Sequence, residues 1–189
     1  MKVFRGFHHP GVASACALTI GNFDGVHRGH QAMLALLINE AKHRGLPCTV
    51  LTFEPHPRDY FAALMGKPEL APSRVATLRD KLSELENCGV DQVVVLPFDK
   101  ALASLSPEEF VDRILVQGLH AQYVLVGDDF RFGAQRAGDY AFLDAAGDAL
   151  APAAEAVQIT GGPDRPVVTD GPFAEGAEVA GGYYMFEPD

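Results

Sequence analysis

The sequence predicts an α/β fold built on a doubly wound parallel sheet, and three observations predict it. Short apolar runs alternate with amphipathic stretches of about ten to fifteen residues, the rhythm that right-handed β–α–β crossovers produce. A glycine-rich turn, Gly21 to His30, joins the strand-like run Ala15 to Ile20 to a helical pattern. Three of the strand-like runs end in unusual loops, and open parallel sheets bind ligands beyond the carboxyl ends of their strands.

In chain order, Lys2 to Arg5 reads as a short strand, His8-His9-Pro10-Gly11 as a turn, and Ala15 to Ile20 as the first core strand. Gln31 to Arg44 has helical spacing and is closed by Gly45 and Pro47, a C-cap glycine with a following proline. Cys48 to Phe53 is a continuous apolar run suited to a buried strand. Leu78 to Cys88 is a helix stopped by Gly89, and Gln92 to Leu96 the next strand. Ser106-Pro107-Glu108-Glu109 opens another helix with an N-cap serine, proline at the first helical position and early acids. Tyr123 to Val126 is the last strand of this series.

Composition narrows the function. The 189 residues are 48% hydrophobic, ample for a buried core. A net charge of −10 argues against nucleic-acid or anionic-membrane partners, so an anionic small molecule has to be drawn by local charge. Cys16, Cys48 and Cys88 sit inside apolar patterns with no C-x-x-C, which favours buried reduced thiols and suits a cytoplasmic protein. No apolar run approaches the ~20 residues of a membrane span, and the N-terminus lacks the features of a secretory signal. Nothing in the sequence specifies an oligomeric state.

The first unusual loop reads G-N-F-D-G-V-H-R-G-H. Gly21, Gly25 and Gly29 allow close backbone approach, and the helix that follows offers free N–H groups and a positive dipole end to an anion. His27 and His30 are three apart and share a face. Neither G-x-G-x-x-G nor G-x-x-x-x-G-K-[ST] is present, which argues against the usual dinucleotide fold and against a P-loop. A metal site from Asp24, His27 and His30 is disfavoured, because no second ligand cluster accompanies them. The second loop, F-E-P-H-P-R-D-Y-F, holds His56 extended between Pro55 and Pro57. The third, V-G-D-D-F-R-F-G-A-Q-R-A-G-D, combines the glycines 127, 133 and 138 with Arg131, Arg136, Phe130 and Phe132. Cations suit a phosphate and aromatic faces suit a ring system, although one of the two phenylalanines is expected to turn inward.

These three motifs, in this order over roughly 140 residues, resemble the signatures of bacterial FAD synthetases. That is the FMN adenylyltransferase module of the bifunctional riboflavin kinase/FAD synthetase, a member of the H-x-G-H nucleotidyltransferase superfamily. The resemblance implies a Rossmann-like nucleotidyltransferase fold for residues 1–146. It also implies transfer of AMP from ATP to FMN, with Mg²⁺, giving FAD and pyrophosphate. Carried over residue by residue, His27, His30, Asn22 and Asp24 are the catalytic candidates, and Gly21, Phe23, Gly25, Gly29 and His56 the nucleotide-binding ones. Phe53, Asp129, Phe130, Arg131 and Arg136 are the candidates for FMN, and no metal ligand is assigned.

Beyond the third loop the resemblance fails. The family continues to an I-S-S-T-x-x-R element that binds ATP phosphates from the opposite side, and no serine of this chain is followed by threonine and then, three residues on, arginine. No riboflavin kinase module is seen. From Asp144 to Asp189 there are nine acidic residues and one basic, Arg165, in an Ala-, Gly- and Pro-rich stretch, which suggests a boundary near Gly147. Within residues 147–189, V-T-D-G-P-F-A-E-x-x-E-x-x-G-G-Y-Y resembles a fragment of the small YCII-related proteins, with a strand, a loop at Asp170-Gly171-Pro172 and a second strand at Tyr183 to Phe186. The expectation is an α+β remnant with no site residues. The alternatives are a nucleotide or flavin binder without catalysis, another H-x-G-H adenylyl- or cytidylyltransferase, and an interaction protein working through the D-G-P-F tail.

Overall fold

Unbroken apolar runs and parallel pairing build one sheet. The computed structural model describes residues 1–127, 129–150 and 183–186. Strands β1 (Lys2–Arg5), β2 (Cys16–Ile20), β3 (Cys48–Glu54), β4 (Gln92–Pro97) and β5 (Ala121–Gly127) are parallel, in the order β1-β4-β3-β2-β5. A last strand, β6 (Tyr183–Phe186), adds antiparallel to β5. The central strands β2, β3 and β4 are buried on both faces, which is why they read as unbroken apolar runs.

Each face of the sheet has its own core. Helices α1 (Arg28–Arg44) and α3 (Leu78–Asn87) cover one face, bringing Met33, Leu34, Leu37 and Leu85 onto Ala17, Val50, Val93 and Leu125. The short helices α4 (Lys100–Ala103) and α5 (Pro107–Phe110), the wide π-type turn Val111–Val116 that continues α5, and α6 (Tyr140–Leu150) cover the other. There Phe110, Ile114, Leu115 and Leu143 pack on Leu18, Ile20, Leu51 and Val124. Chain order runs from β2 outward to β4 on one side and returns to β5 on the other. The loop after β2 therefore sits where the winding reverses, the place such sheets reserve for a ligand.

Several boundaries differ from expectation for local reasons. Helix α1 starts at Arg28, ahead of the expected Gln31, because the His27 ring caps it by accepting the His30 N–H through Nδ1. The P-H-P segment is only half a loop: His56 is extended (φ −58°, ψ 139°), but its Nδ1 accepts the Arg58 N–H and starts helix α2 (Pro57–Leu64). Helix α6 was not expected, and it begins where Asp139 Oδ1 accepts the Phe142 N–H at 3.0 Å. Gly45 ends α1 in the left-handed conformation and Ser106 caps α5, as the sequence predicts, and Glu109 completes a reciprocal capping box with Ser106. Cys16 and Cys48 are buried thiols and Cys88 is half-buried. Helix α6 passes through Gly147; the Asp170-Gly171-Pro172 loop and Arg165 lie outside the described residues. Among the described residues no helix is long and apolar enough to cross a membrane.

Candidate active site

The three loops leave the same edge of the sheet, because β2, β3 and β5 are adjacent and parallel. The first is a tight and strained turn. Phe23 and Val26 have positive φ (50° and 36°), costly for a bulky and for a β-branched residue, and both side chains are fully buried. Their burial anchors the turn, and the conformation leaves the first amides of α1 facing out, where helix geometry gives them no partner of their own. At Gly25 the backbone is left-handed (φ 76°), and a Cβ would lie 2.8 Å from Val75 Cγ1, so a larger residue there is strained and has to displace the Val75 side chain.

The two histidines form a stack. The rings of His27 and His30 lie 3.8 Å apart at 22°, and Phe23 supports His30 from below at 4.8 Å. A Cβ at Gly29 would come within 3.2 Å of the His27 ring, so the glycine makes room for that histidine. His27 is exposed and His30 half-buried. Burial, assisted by the neighbouring His27 and Lys81, lowers the His30 pKa to about 4, so its imidazole is neutral at physiological pH. His30 Nδ1 is buried with no hydrogen-bond partner. The pair therefore offers hydrogen bonding, and His30 adds no charge at neutral pH.

Beneath and beside the turn the contacts are polar. The Thr52 hydroxyl donates to the Asn22 carbonyl oxygen at 3.2 Å, and Gly21 N–H donates to the Leu51 carbonyl, which ties the first loop to β3. The Asp24 carboxylate accepts the Val75 and Ala76 N–H groups at 3.1 to 3.2 Å, which with the nearby Arg74 holds its pKa below the usual range despite some desolvation. Arg74 itself bridges Asp59 and Glu54, at 2.8 Å to each. A strap of residues 71–77 is thus pinned across the first two loops. His56 is buried between these groups, and burial followed by Arg74 lowers its pKa.

The third loop is folded on itself. Phe132 and Gly138 exchange backbone hydrogen bonds, and the Phe132 ring lies so near Gly138 that a Cβ there would approach it to 2.7 Å. Phe132 is the phenylalanine that turns inward, against Phe110 and Phe142. Phe130 stacks on it at 5.5 Å and stays half-buried. Arg131 pairs with Asp139, while Asp129 and Arg136 are exposed. Phe53 is half-buried at the end of β3, edge-on to Phe98.

Two of the candidates are engaged within the fold itself. Phe23, a nucleotide-binding candidate, has no exposed surface and serves as the floor under His30. Asp24, a catalytic candidate, spends both carboxylate oxygens on the strap. Sequence reasoning missed the Arg74 clamp, the Thr52 contact and the buried Lys81. The last left a signal: Leu78, Lys81, Leu82 and Leu85 form one helical stripe, and a lysine stands in it. Among the described residues no three His, Cys, Asp or Glu side chains gather into a metal site.

The chain is similar to proteins already known. The chain is 47% identical over 149 residues to the bifunctional riboflavin kinase/FMN adenylyltransferase of Escherichia coli K12, and 50% identical over 152 residues to that of Pseudomonas fluorescens. Each match covers 78% of this chain and 46% of the relative, so the chain spans about half the length of these curated relatives. A solved Streptococcus pneumoniae structure, described as a macrolide-efflux protein, superposes with a TM-score of 0.63 at 25% identity, covering 75% of this chain and 45% of that one. The FAD synthetase family matches residues 9–165, from the turn before β2 through all three loops, and the chain belongs to that family.

Proposed function

We propose that the chain is an FMN adenylyltransferase, carrying AMP from ATP to FMN. The observation that supports this best is the stacked His27–His30 pair at the start of α1, placed at the reversal point of a parallel sheet beside the other two loops. In the reaction an oxygen of the FMN phosphate attacks the α-phosphorus of ATP, the bond from that phosphorus to the bridging oxygen breaks, and pyrophosphate leaves. No covalent enzyme intermediate is required, so the protein's work is to align two polyanions and receive the charge moving onto pyrophosphate.

The amides of Arg28 and Gly29 and the dipole end of α1 receive the triphosphate. Neutral His30 holds a phosphate oxygen by hydrogen bonding, His27 does so from the exposed side, and Asn22 shapes the turn. Gly21, Gly25 and Gly29 keep the backbone close to the nucleotide, with His56 fixing the neighbouring loop. Mg²⁺ arrives with ATP and screens its phosphates. On the flavin side Phe53 and Phe130 offer ring faces, while Arg136, Arg131 and Asp129 serve the FMN phosphate and the closing of its loop. A cytoplasmic setting, where ATP and FMN are both present, follows from this reading. The division into a nucleotidyltransferase unit over 1–146 and a YCII-like fragment over 147–189 is proposed with it.

Binding tests the assignment of roles. Calorimetry with Mg·ATP should give weak but saturable binding, and His30→Ala should weaken it about tenfold, the worth of one hydrogen bond to a charged group. Equal affinity in the variant would remove His30 from the site. FMN fluorescence should respond to the protein and lose that response in Arg136→Ala.

A further inference from the structure

Among the described residues Lys81 is the one buried lysine or arginine, with 1% of its surface exposed, and nothing in the reaction above uses it. It projects from α3 to the carboxyl end of β3, where Nζ donates to Thr52 Oγ1 at 3.3 Å; the Thr52 hydroxyl donates in turn to the Asn22 carbonyl. The ammonium thus stands two hydrogen bonds beneath the phosphate-binding turn.

Its surroundings form no ion pair with it, although the Glu54 and Asp24 charges favour its charged form from farther off. Glu54 and Asp59 are paired with Arg74, and the Asp24 oxygens are held by the strap amides. Among the described residues no carboxylate lies within ion-pair distance of Lys81, and its hydrogen-bond partner is a neutral hydroxyl. A buried ammonium with one neutral partner is costly. The one strong negative charge the site is built to receive is the ligand's.

We propose that Lys81 is a positioning residue of the phosphate site: held under the turn by Thr52, its ammonium is the fixed positive charge over which the phosphates of ATP settle. The inference rests on the nucleotide reading of the turn. It also explains how an acidic chain whose His30 is neutral attracts a triphosphate. Burial, with Arg74 next, lowers the Lys81 pKa, and a bound polyanion reverses that shift by restoring the charged form.

The test separates charge from packing. Lys81→Met keeps the length and removes the charge, and Lys81→Gln is read in the same titrations should the methionine variant not fold. Calorimetry with Mg·ATP should show at least a tenfold loss of affinity, while adenosine, which has no phosphate, binds as to the unaltered protein. The melting temperature should stay level or rise, because an unpaired buried charge has been removed. Affinity for Mg·ATP equal to that of the unaltered protein overturns the proposal, as does an equal loss for ATP and adenosine, which marks a packing role. An unaltered protein that binds no ATP overturns the nucleotide reading itself, and this proposal with it.

Discussion

The protonation state of His30 follows from its neighbours, and it makes stability depend on pH. The unfolded chain takes up a proton on this imidazole near 6.5, whereas the folded protein does so only at about 4. Between those values the unfolded state holds more protons, so stability falls as pH drops from 6.5 to about 4 and is unaffected by this group below that. The loss amounts to at most about 3 kcal/mol. Urea melts at pH 7 and pH 4.5 should show it, and His30→Gln should be less sensitive to the same change; an unchanged pH dependence in the variant would place the effect elsewhere. Phe23 gives a second expectation at this scale. As a fully buried ring under the histidine stack, Phe23→Ala should cost about 3–5 kcal/mol, measured by denaturant unfolding. The sequence could not separate Phe23 from a ligand contact, since an aromatic residue in a signature loop reads the same whether it faces inward or outward. Phe130 and Phe132 raised the same ambiguity, and only the hydrogen-bonded closure between Phe132 and Gly138 resolves which one is core.

Among the elements, those whose ends follow common side-chain chemistry were legible. Gly45 and the N-cap Ser106 closed and opened helices where expected, because these residues meet orphan backbone groups in known ways. Histidine caps are less common, so the starts of α1 at His27 and of α2 at His56 were not readable from the pattern. The strap was invisible for another reason: Arg74, Asp59 and Glu54 are distant in sequence, and ion pairs leave no periodic trace. If the strap orders the first two loops, Arg74→Ala should expose residues 66–76 to limited proteolysis while costing only about 1–2 kcal/mol of global stability, because the pairs are partly solvated. Cleavage at the rate of the unaltered protein would mean that the Asp24–Val75 contacts alone hold the strap.

For the whole molecule, strand order decides what the chain can do. The parallel sheet was legible because its strands are buried on both faces, and the site because three glycine- or proline-bearing loops follow strands that prove adjacent. No Ser-Thr-x-x-Arg segment follows the third loop in this sequence, the element that the family resemblance leads one to expect on the far side of the phosphates. If the reaction is the proposed adenylyl transfer, two or three charge-assisted contacts worth ~1.5 to 3 kcal/mol each are expected from such an element, and their absence should slow the transfer by roughly 10² to 10⁶. The decisive measurement is the initial rate of FAD formation from ATP, Mg²⁺ and FMN, followed by chromatography, for the 189-residue chain and for a variant carrying an I-S-S-T-x-x-R segment in place of the residues after Leu150. An adenylyltransferase missing one phosphate-binding element gives FAD slowly or not at all in the first case, and at least a hundredfold faster in the second. Silence from both proteins, or turnover near the typical ~10 s⁻¹ of enzymes by the 189-residue chain itself, would contradict the account.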